Sequence, residues 1–230
     1  MWDLGRVLTI LVQKYNNMEF LPPEIEEYVL KHTPRESTIL QELNRETHLK
    51  VMQPRMLSGH YQGQLLQFLV EMINPKSVLE IGTYTGYSAV AMTQGLTEGA
   101  KLITVDVNVE LEKMISSYIQ KAGFENKIEQ LTGNALEIIP TLNQTFDLVF
   151  IDADKRNYKK YLDLTFDKLN PGGYFITDNV LWSGKVTMPK EKMDIDTKMI
   201  DEFNEYVQKH PKLKSILLPI RDGLYVSRKL

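Results

Sequence analysis

Four short motifs in the chain carry residue types that can do chemistry, and each closes a run of apolar and β-branched residues. The first is E-I-G-T-Y-T-G-Y-S, Glu80 to Ser88, in which Gly82 and Gly86 permit a tight turn and let a ligand come close to the backbone. The second is Asp106, which ends L-I-T-V-D 20 residues after Gly86. A carboxylate there can accept hydrogen bonds from both hydroxyls of a ribose. Their spacing in one strand-helix-strand unit, with a further acid at Glu80, describes a nucleoside site. The glycines follow G-x-x-x-G and not the G-x-G-x-x-G that wraps a dinucleotide, and no Lys-Ser/Thr pair follows as in a phosphate loop, so a diphosphate is disfavoured. The plainer alternatives are an ordinary strand-to-helix turn for the glycines and a helix-capping acid for Asp106.

The third motif is F-I-D-A-D-K-R-N-Y, Phe150 to Tyr158, and the fourth is I-T-D-N-V-L-W, Ile176 to Trp182. If the strands they end lie side by side, Asp152, Asp178 and Asn179 supply three hard oxygen ligands with no histidine or cysteine nearby. Such a set suits Mg²⁺, Mn²⁺ or Ca²⁺, completed by water, and not Zn²⁺. Asp-Ala-Asp and Asp-Asn are also ordinary turn formers after strands, which is the competing reading. The four histidines, His32, His48, His60 and His210, have no ligand or triad spacing and are expected on helix surfaces or at caps. Ser88 lacks the G-x-S-x-G elbow of hydrolases, so acyl transfer has little support.

The elements that must position these motifs follow from periodicity. From residue 20 to about 73 the pattern is helical, in E-I-E-E-Y-V-L-K-H, R-E-S-T-I-L-Q-E-L-N-R-E-T-H-L-K-V-M and H-Y-Q-G-Q-L-L-Q-F-L-V-E-M-I. After Pro75 seven candidate strands alternate with helices: S-V-L-E-I-G, K-L-I-T-V-D-V, K-I-E-Q-L-T-G, F-D-L-V-F-I-D, G-Y-F-I-T-D-N, S-I-L-L-P-I and G-L-Y-V-S-R-K. The intervening helices are read at Gly86 to Leu96, Val109 to Ala122, Ala135 to Leu142, Asn157 to Leu169 and Ile195 to His210. This alternation predicts an α/β, Rossmann-like, doubly wound sheet that is mostly parallel, with ligands beyond the carboxyl ends of its strands. The short connection at Arg221 to Gly223 makes the last pair a hairpin, expected to close the sheet with an antiparallel edge strand. The expected organisation is one domain over 1–230, with an N-terminal helical cap (1–73) and a catalytic core (74–230).

A chain of 230 residues is long enough to bury a sizeable core. No apolar run reaches the roughly 18 residues of a membrane-spanning helix, so no membrane partner is expected. The absence of cysteine excludes disulfides and thiolate metal sites, which fits a cytoplasmic location. A net charge of −3 gives no global reason to bind nucleic acid. Residues 1–17 read as an ordinary helix and not a signal peptide, and Met18 as an alternative start.

With these motifs in place the sequence resembles the cation-dependent (class I) O-methyltransferases, the group of catechol and caffeoyl-CoA O-methyltransferases and their bacterial relatives. The likeness runs from about Met52 to the C-terminus, through R-M-L-S-G-H-Y-Q-G-Q-L-L, L-E-I-G-T-Y-T-G-Y-S-A, V-F-I-D-A-D-K-R-N-Y, I-T-D-N-V-L-W-S-G-K-V and R-D-G-L-Y-V-S-R-K. It implies S-adenosylmethionine as methyl donor, with Glu80, Gly82, Tyr84 and Ser88 around its methionine half, Asp106 on the ribose and Ala135 by the adenine. Met56 and Ser58 match a segment that covers the cofactor. Asp154 matches a residue near its amino group, and Asp152 borders both cofactor and metal. The resemblance assigns the divalent cation, Mg²⁺ foremost, to Asp152, Asp178 and Asn179, and the catalytic role to Lys155 together with Asp152. The implied acceptor is a small hydroxylated aromatic with vicinal oxygens, and the implied assembly a homodimer. Arg156 stands where plant members often carry an acid.

Some bacterial members of that group methylate 5-hydroxyuridine in transfer RNA. Lys155, Arg156, Lys159 and Lys160 form a basic run beside the site that would meet phosphates in such a partner, or else a solvated helix face. A nicotinamide-dependent dehydrogenase or a non-catalytic interaction protein on the same scaffold are the other classes considered.

Overall fold

The computed structural model describes residues 22–230. The helix expected over residues 1–17 lies outside them. Three N-terminal helices, α1 (Pro23–Lys31), α2 (Thr38–Lys50) and α3 (Gly59–Ile73), precede β1 (Ser77–Ile81), α4 (Tyr87–Gln94), β2 (Lys101–Asp106), α5 (Glu112–Lys121) and β3 (Ile128–Thr132). There follow α6 (Ala135–Thr141), β4 (Phe146–Ile151), α7 (Tyr158–Phe166), β5 (Leu169–Asp178), α8 (Ile195–Lys209), β6 (Leu213–Leu218) and β7 (Leu224–Lys229). Among the described residues every expected element is present, with helix ends moved by up to three residues. The largest change is at Leu169, expected to end a helix. It instead begins β5, because it pairs with Phe146 ahead of a register shift at Pro171 to Gly173.

The seven strands form one sheet in the order β3-β2-β1-β4-β5-β7-β6, parallel except for β7. As expected, the C-terminal hairpin closes the sheet with an edge strand antiparallel to its neighbour. β7 lies inside, paired with β5 on one side and β6 on the other, and β6 forms the edge. Burial explains the order. Leu224, Tyr225 and Ser227 of β7 are all buried, whereas β6 carries Lys214 and exposes Ile216, so the strand able to be covered on both faces takes the interior position.

Alternation along the strands sorts their side chains between two cores. Leu79 and Ile81 of β1 join Ile139 of α6, Leu162 of α7 and Phe203 of α8 on one face. Val78 joins Leu66 and Val70 of α3, Met92 of α4 and Ile115 of α5 on the other. A third cluster seats Leu40 and Leu43 of α2 against Val90 and Ala91 of α4. Helix α4 therefore lies between the sheet and α2, and Tyr87 to Thr93 are all buried. Its run of small and apolar residues suits a helix covered all round. Among the described residues no helix is long and apolar enough to cross a membrane.

At the carboxyl ends of the two central strands the backbones come very close. A Cβ on Gly82 would lie 1.9 Å from the Asp152 carbonyl oxygen, and the residue sits at φ +99°. Only glycine fits both the space and the conformation. Gly82→Ala should therefore destabilise the fold by upward of about 2 kcal/mol, read as a lower urea midpoint with an unchanged slope; wild-type stability would contradict this account of the β1 turn.

Candidate active site

The strand ends open into a cleft of about 1520 Å³, lined by the turns after β1 to β5, by residues 50–58 and by Arg221 and Asp222 of the β6–β7 connection. Of the seven non-glycine residues with positive φ among the described residues, six line it: Gln53, Tyr84, Asn179, Trp182, Ser183 and Arg221. Left-handed backbone at non-glycine positions is costly and persists where the surroundings impose it. Its concentration here marks the cleft as the worked part of the molecule.

On one side of the cleft is the turn after β1. The Asp106 carboxylate, at the end of β2, accepts hydrogen bonds from the backbone N–H groups of Thr83 (2.8 Å), Tyr84 (2.7 Å) and Asn108 (2.8 Å). The acid read from sequence as a ribose ligand thus also holds the glycine turn in shape, with about one of its roughly four lone-pair sites left for a ligand. Gly82, Tyr84 and Ser88 line the cleft beside it, as does Ala135 at the first turn of α6, where Asn134 caps the helix by accepting from Leu136 N–H (3.0 Å). The Tyr84 hydroxyl reaches the carbonyls of Met52 and Gln53 (3.2 Å each), tying the turn to the strap that carries Met56 and Ser58 over the cleft.

Glu80 is placed differently. It is fully buried beneath the turn and is not part of the lining. The Thr104 hydroxyl donates to one oxygen, and the other, Oε1, has no partner. Burial raises its pKa from 4.5 to about 8; the nearby hydroxyls of Ser88 and Thr104 oppose the shift, and the negative charges of Asp152 and Asp106 add to it.

Across the cleft, β4 and β5 bring the third and fourth motifs together. Lys155 Nζ donates to Asp152 Oδ1 (3.1 Å), Asn179 Oδ1 (2.7 Å) and the Tyr158 hydroxyl (2.6 Å), which itself donates to the Asp178 carbonyl (3.0 Å). Asp178 is 3% exposed; Oδ1 accepts from Asn179 N–H and Oδ2 from Gln62. Burial, and then the charge of Asp152, push its pKa well above the usual carboxylate range. Asp154 faces the first turn of α7, accepting from Asn157 and the Tyr161 hydroxyl. The Trp182 ring stands 5.6 Å from Lys155 Nζ.

The donor set fits a hard divalent cation. Oxygens of Asp152 and Asn179 already converge on one cationic group, and Asp178 sits beside Asp152 with its negative charge poorly compensated. Among the described residues no three acidic, histidine or cysteine side chains converge, because the set is two acids and one amide. Two residues that sequence reasoning passed over belong here, Gln62 and Arg221. Arg221 Nη1 donates to Gln62 Oε1 (2.8 Å). The only trace in sequence is a glutamine on the buried face of α3. The basic run is largely neutralised: Arg156 pairs with Asp196 (2.7 Å) and Lys159 with Asp163 (2.7 Å), while Lys155 is in the site.

Comparison with known proteins gives a consistent picture. A family model described as O-methyltransferase matches residues 30–230. Caffeoyl-CoA O-methyltransferase 1 of Arabidopsis thaliana is 32% identical over 220 residues, which cover 90% of this chain and 85% of that one. Among solved structures, an SAH-bound methyltransferase of Podospora anserina superposes with a TM-score of 0.83 at 25% identity, over 90% of this chain and 94% of its own. An O-methyltransferase of Streptomyces achromogenes involved in tomaymycin synthesis, solved with SAM, gives 0.81 at 26% identity, over 90% and 96%.

The raised pKa of Glu80 has a measurable sign. The unfolded chain ionises this carboxyl near pH 4.5 and the folded chain near pH 8, so the folded state binds more protons between them and loses stability as pH rises through that window. Glu80→Gln removes the loss. In urea titrations its stability relative to wild type should grow from about pH 4.5 to about pH 8 and then level off; a pH-independent difference would contradict the assignment.

Proposed function

The chain belongs to the O-methyltransferase family and is an S-adenosylmethionine-dependent O-methyltransferase; on that premise we propose that it methylates a hydroxyl of a small phenolic acceptor with vicinal oxygens, held by a divalent cation. The observation that carries the proposal is the Lys155 ammonium lying among the oxygens of Asp152 and Asn179, across one cleft from the Asp106-anchored turn.

In this reading the turn after β1 holds the methyl donor, with Asp106 on the ribose, Ala135 by the adenine, and Met56 and Ser58 over it. A carboxylate-rich cleft, with Asp106, Asp152, Asp154 and Asp178 in its lining, suits the donor's sulfonium and ammonium charges. Asp152, Asp178 and Asn179 would hold the cation, Mg²⁺ being the simplest choice for such a set. Bound there, the ion would lower the pKa of an acceptor hydroxyl that reaches it.

The chain's own groups do the rest. Lys155 Nζ, set among Asp152, Asn179 and the Tyr158 hydroxyl, is placed to take the hydroxyl proton when it is the neutral amine; as the ammonium, a donor only, it would instead hold the ionised acceptor oxygen electrostatically. The acceptor oxygen then attacks the donor's methyl carbon, forming the O–C bond as the C–S bond breaks. No covalent enzyme intermediate is needed, and in-line placement supplies much of the rate. Trp182 offers an aromatic wall beside Lys155 for the acceptor ring. A caffeoyl group, for which the plant relatives are named, has the required adjacent hydroxyls. The pairing of Arg156 and Lys159 leaves less free positive charge for a polyanionic acceptor.

Methyl transfer from labelled S-adenosylmethionine, with Mg²⁺ and a catechol in one arm and undermodified transfer RNA in the other, tests the acceptor. Turnover on RNA alone, falling steeply with salt, would overturn the small-molecule reading. Asp152→Ala should lower catechol methylation by about 100-fold or more while largely preserving S-adenosylmethionine affinity in calorimetry. Full wild-type activity in the presence of a chelator would remove the cation from the mechanism.

A further inference from the structure

Asp178 is the most buried of the three proposed cation ligands, and its surroundings are contributed by distant parts of the chain. Gln62, on the inward face of α3 and 2% exposed, donates its amide N–H to Asp178 Oδ2. The Gln62 carbonyl oxygen faces the other way and accepts from Arg221 Nη1 at 2.8 Å. Arg221 lies in the β6–β7 connection at φ +49°, three positions before Leu224, the residue paired with Asp178 across β5 and β7. Its second nitrogen makes a longer contact with the Leu57 carbonyl (3.5 Å), at the end of the strap over the cleft.

The chemistry of this arrangement has only one sense. A guanidinium can only donate, so the end of the Gln62 amide facing it must be the oxygen. The NH₂ group is then turned onto Asp178, which as an acceptor could not tolerate the amide reversed. Asp178 Oδ1 is fixed as well, by Asn179 N–H. Both oxygens are thereby oriented, and each keeps a lone pair. A direct Arg–Asp pair would occupy the carboxylate with two strong bonds and place a positive charge where a metal would compete with it. The interposed amide transmits orientation without neutralising the ligand.

We infer that Gln62 and Arg221 are positioning residues for the cation site, with Arg221 fixing the Gln62 amide and Gln62 fixing the Asp178 carboxylate in its ligating orientation. The inference rests on the cation reading proposed above. Outer partners of metal ligands are typically worth about 10- to 100-fold in metal affinity, so the effect is measurable.

The test is titration of Mn²⁺ alone into the full chain, with free Mn²⁺ read by electron paramagnetic resonance and folding checked by thermal melts. Arg221→Met and Gln62→Met should each weaken Mn²⁺ binding by about 10- to 100-fold. Arg221→Lys keeps a donor to Gln62 and should stay within about threefold of wild type. Because Arg221 acts through Gln62, the double variant should bind no more than about twofold worse than Gln62→Met alone. Fully multiplicative losses, or Arg221→Met binding as wild type does, would overturn the inference while leaving the cation site standing. Wild type failing to bind Mn²⁺, or Asp152→Ala binding it unchanged, would instead remove the cation site and the inference with it. If Gln62→Met does not fold, the contrast between Arg221→Met and Arg221→Lys decides the matter: equal affinities refute the relay.

Discussion

The backbone contact between Gly82 and the Asp152 carbonyl is the constraint on which the rest of the cleft depends. β1 and β4 are adjacent and parallel, with Ile81 opposite Ile151, and Asp152 N–H donates to the Ile81 carbonyl at 2.9 Å. The turn that leaves β1 and the turn that leaves β4 therefore begin side by side. In the proposed reading, a methyl donor seated on the first would lie beside the oxygen cluster of the second. Any side chain at position 82 would push the two apart. Since orientation supplies much of the rate in a simple displacement, this one missing Cβ carries functional as well as structural weight.

Electrostatics follow from the same crowding. Parallel strands deliver their carboxyl ends, and the acids on them, to one edge of the sheet, so the charges of Asp152 and Asp106 add to the raised pKa of buried Glu80, and that of Asp152 to the raised pKa of buried Asp178. The fold answers in three ways. Glu80 is kept largely protonated by burial, Asp106 is satisfied by three backbone N–H groups, and Asp152 is paired with Lys155. Asp178 receives only neutral donors, from Gln62 and the Asn179 backbone. Of these acids it is the one whose environment most calls for a further positive charge, and it belongs to the proposed cation set.

What could be read from sequence was whatever depends on local spacing. The short β-branched runs located all seven strands, the G-x-x-x-G turn and Asp106 fell in one strand-helix-strand unit, and the strands ending in the Asp152 and Asp178 motifs proved to be neighbours. Two kinds of feature escaped. Strand order within the hairpin depends on which partner has both faces covered, a tertiary property, so which of its two strands lies at the edge was not assigned from sequence. The Gln62 and Arg221 contacts join residues 116 and 159 positions apart, and nothing in the periodicity of either segment refers to the other. Glu80 was legible as an acid at a strand end. Its position beneath the turn became visible only once Gly86 and α4 had closed over that face.

The strained residues around the cleft show how such distant contacts are held. Trp182 and Ser183 are left-handed in succession, and the strain is held by the β6–β7 connection: Asp222 accepts from Ser183 N–H, Leu181 N–H donates to the Asp222 carbonyl at 2.9 Å, and Val180 N–H donates to the Gly223 carbonyl at 3.2 Å. Arg221 is the next residue in that connection and is itself left-handed. The same short loop thus fixes the backbone that presents Asn179 and Trp182 and the guanidinium that orients Gln62. Gly223 is required for it, since a Cβ there would lie 2.5 Å from the Leu181 side chain. The pairing of β7 with β5 is what brings this loop to the end of the strand that carries Asp178. An edge position for β7 would carry Arg221 away from Gln62 and leave the amide without the donor that sets its sense, so the topology of the sheet bears on the geometry of the proposed ligand.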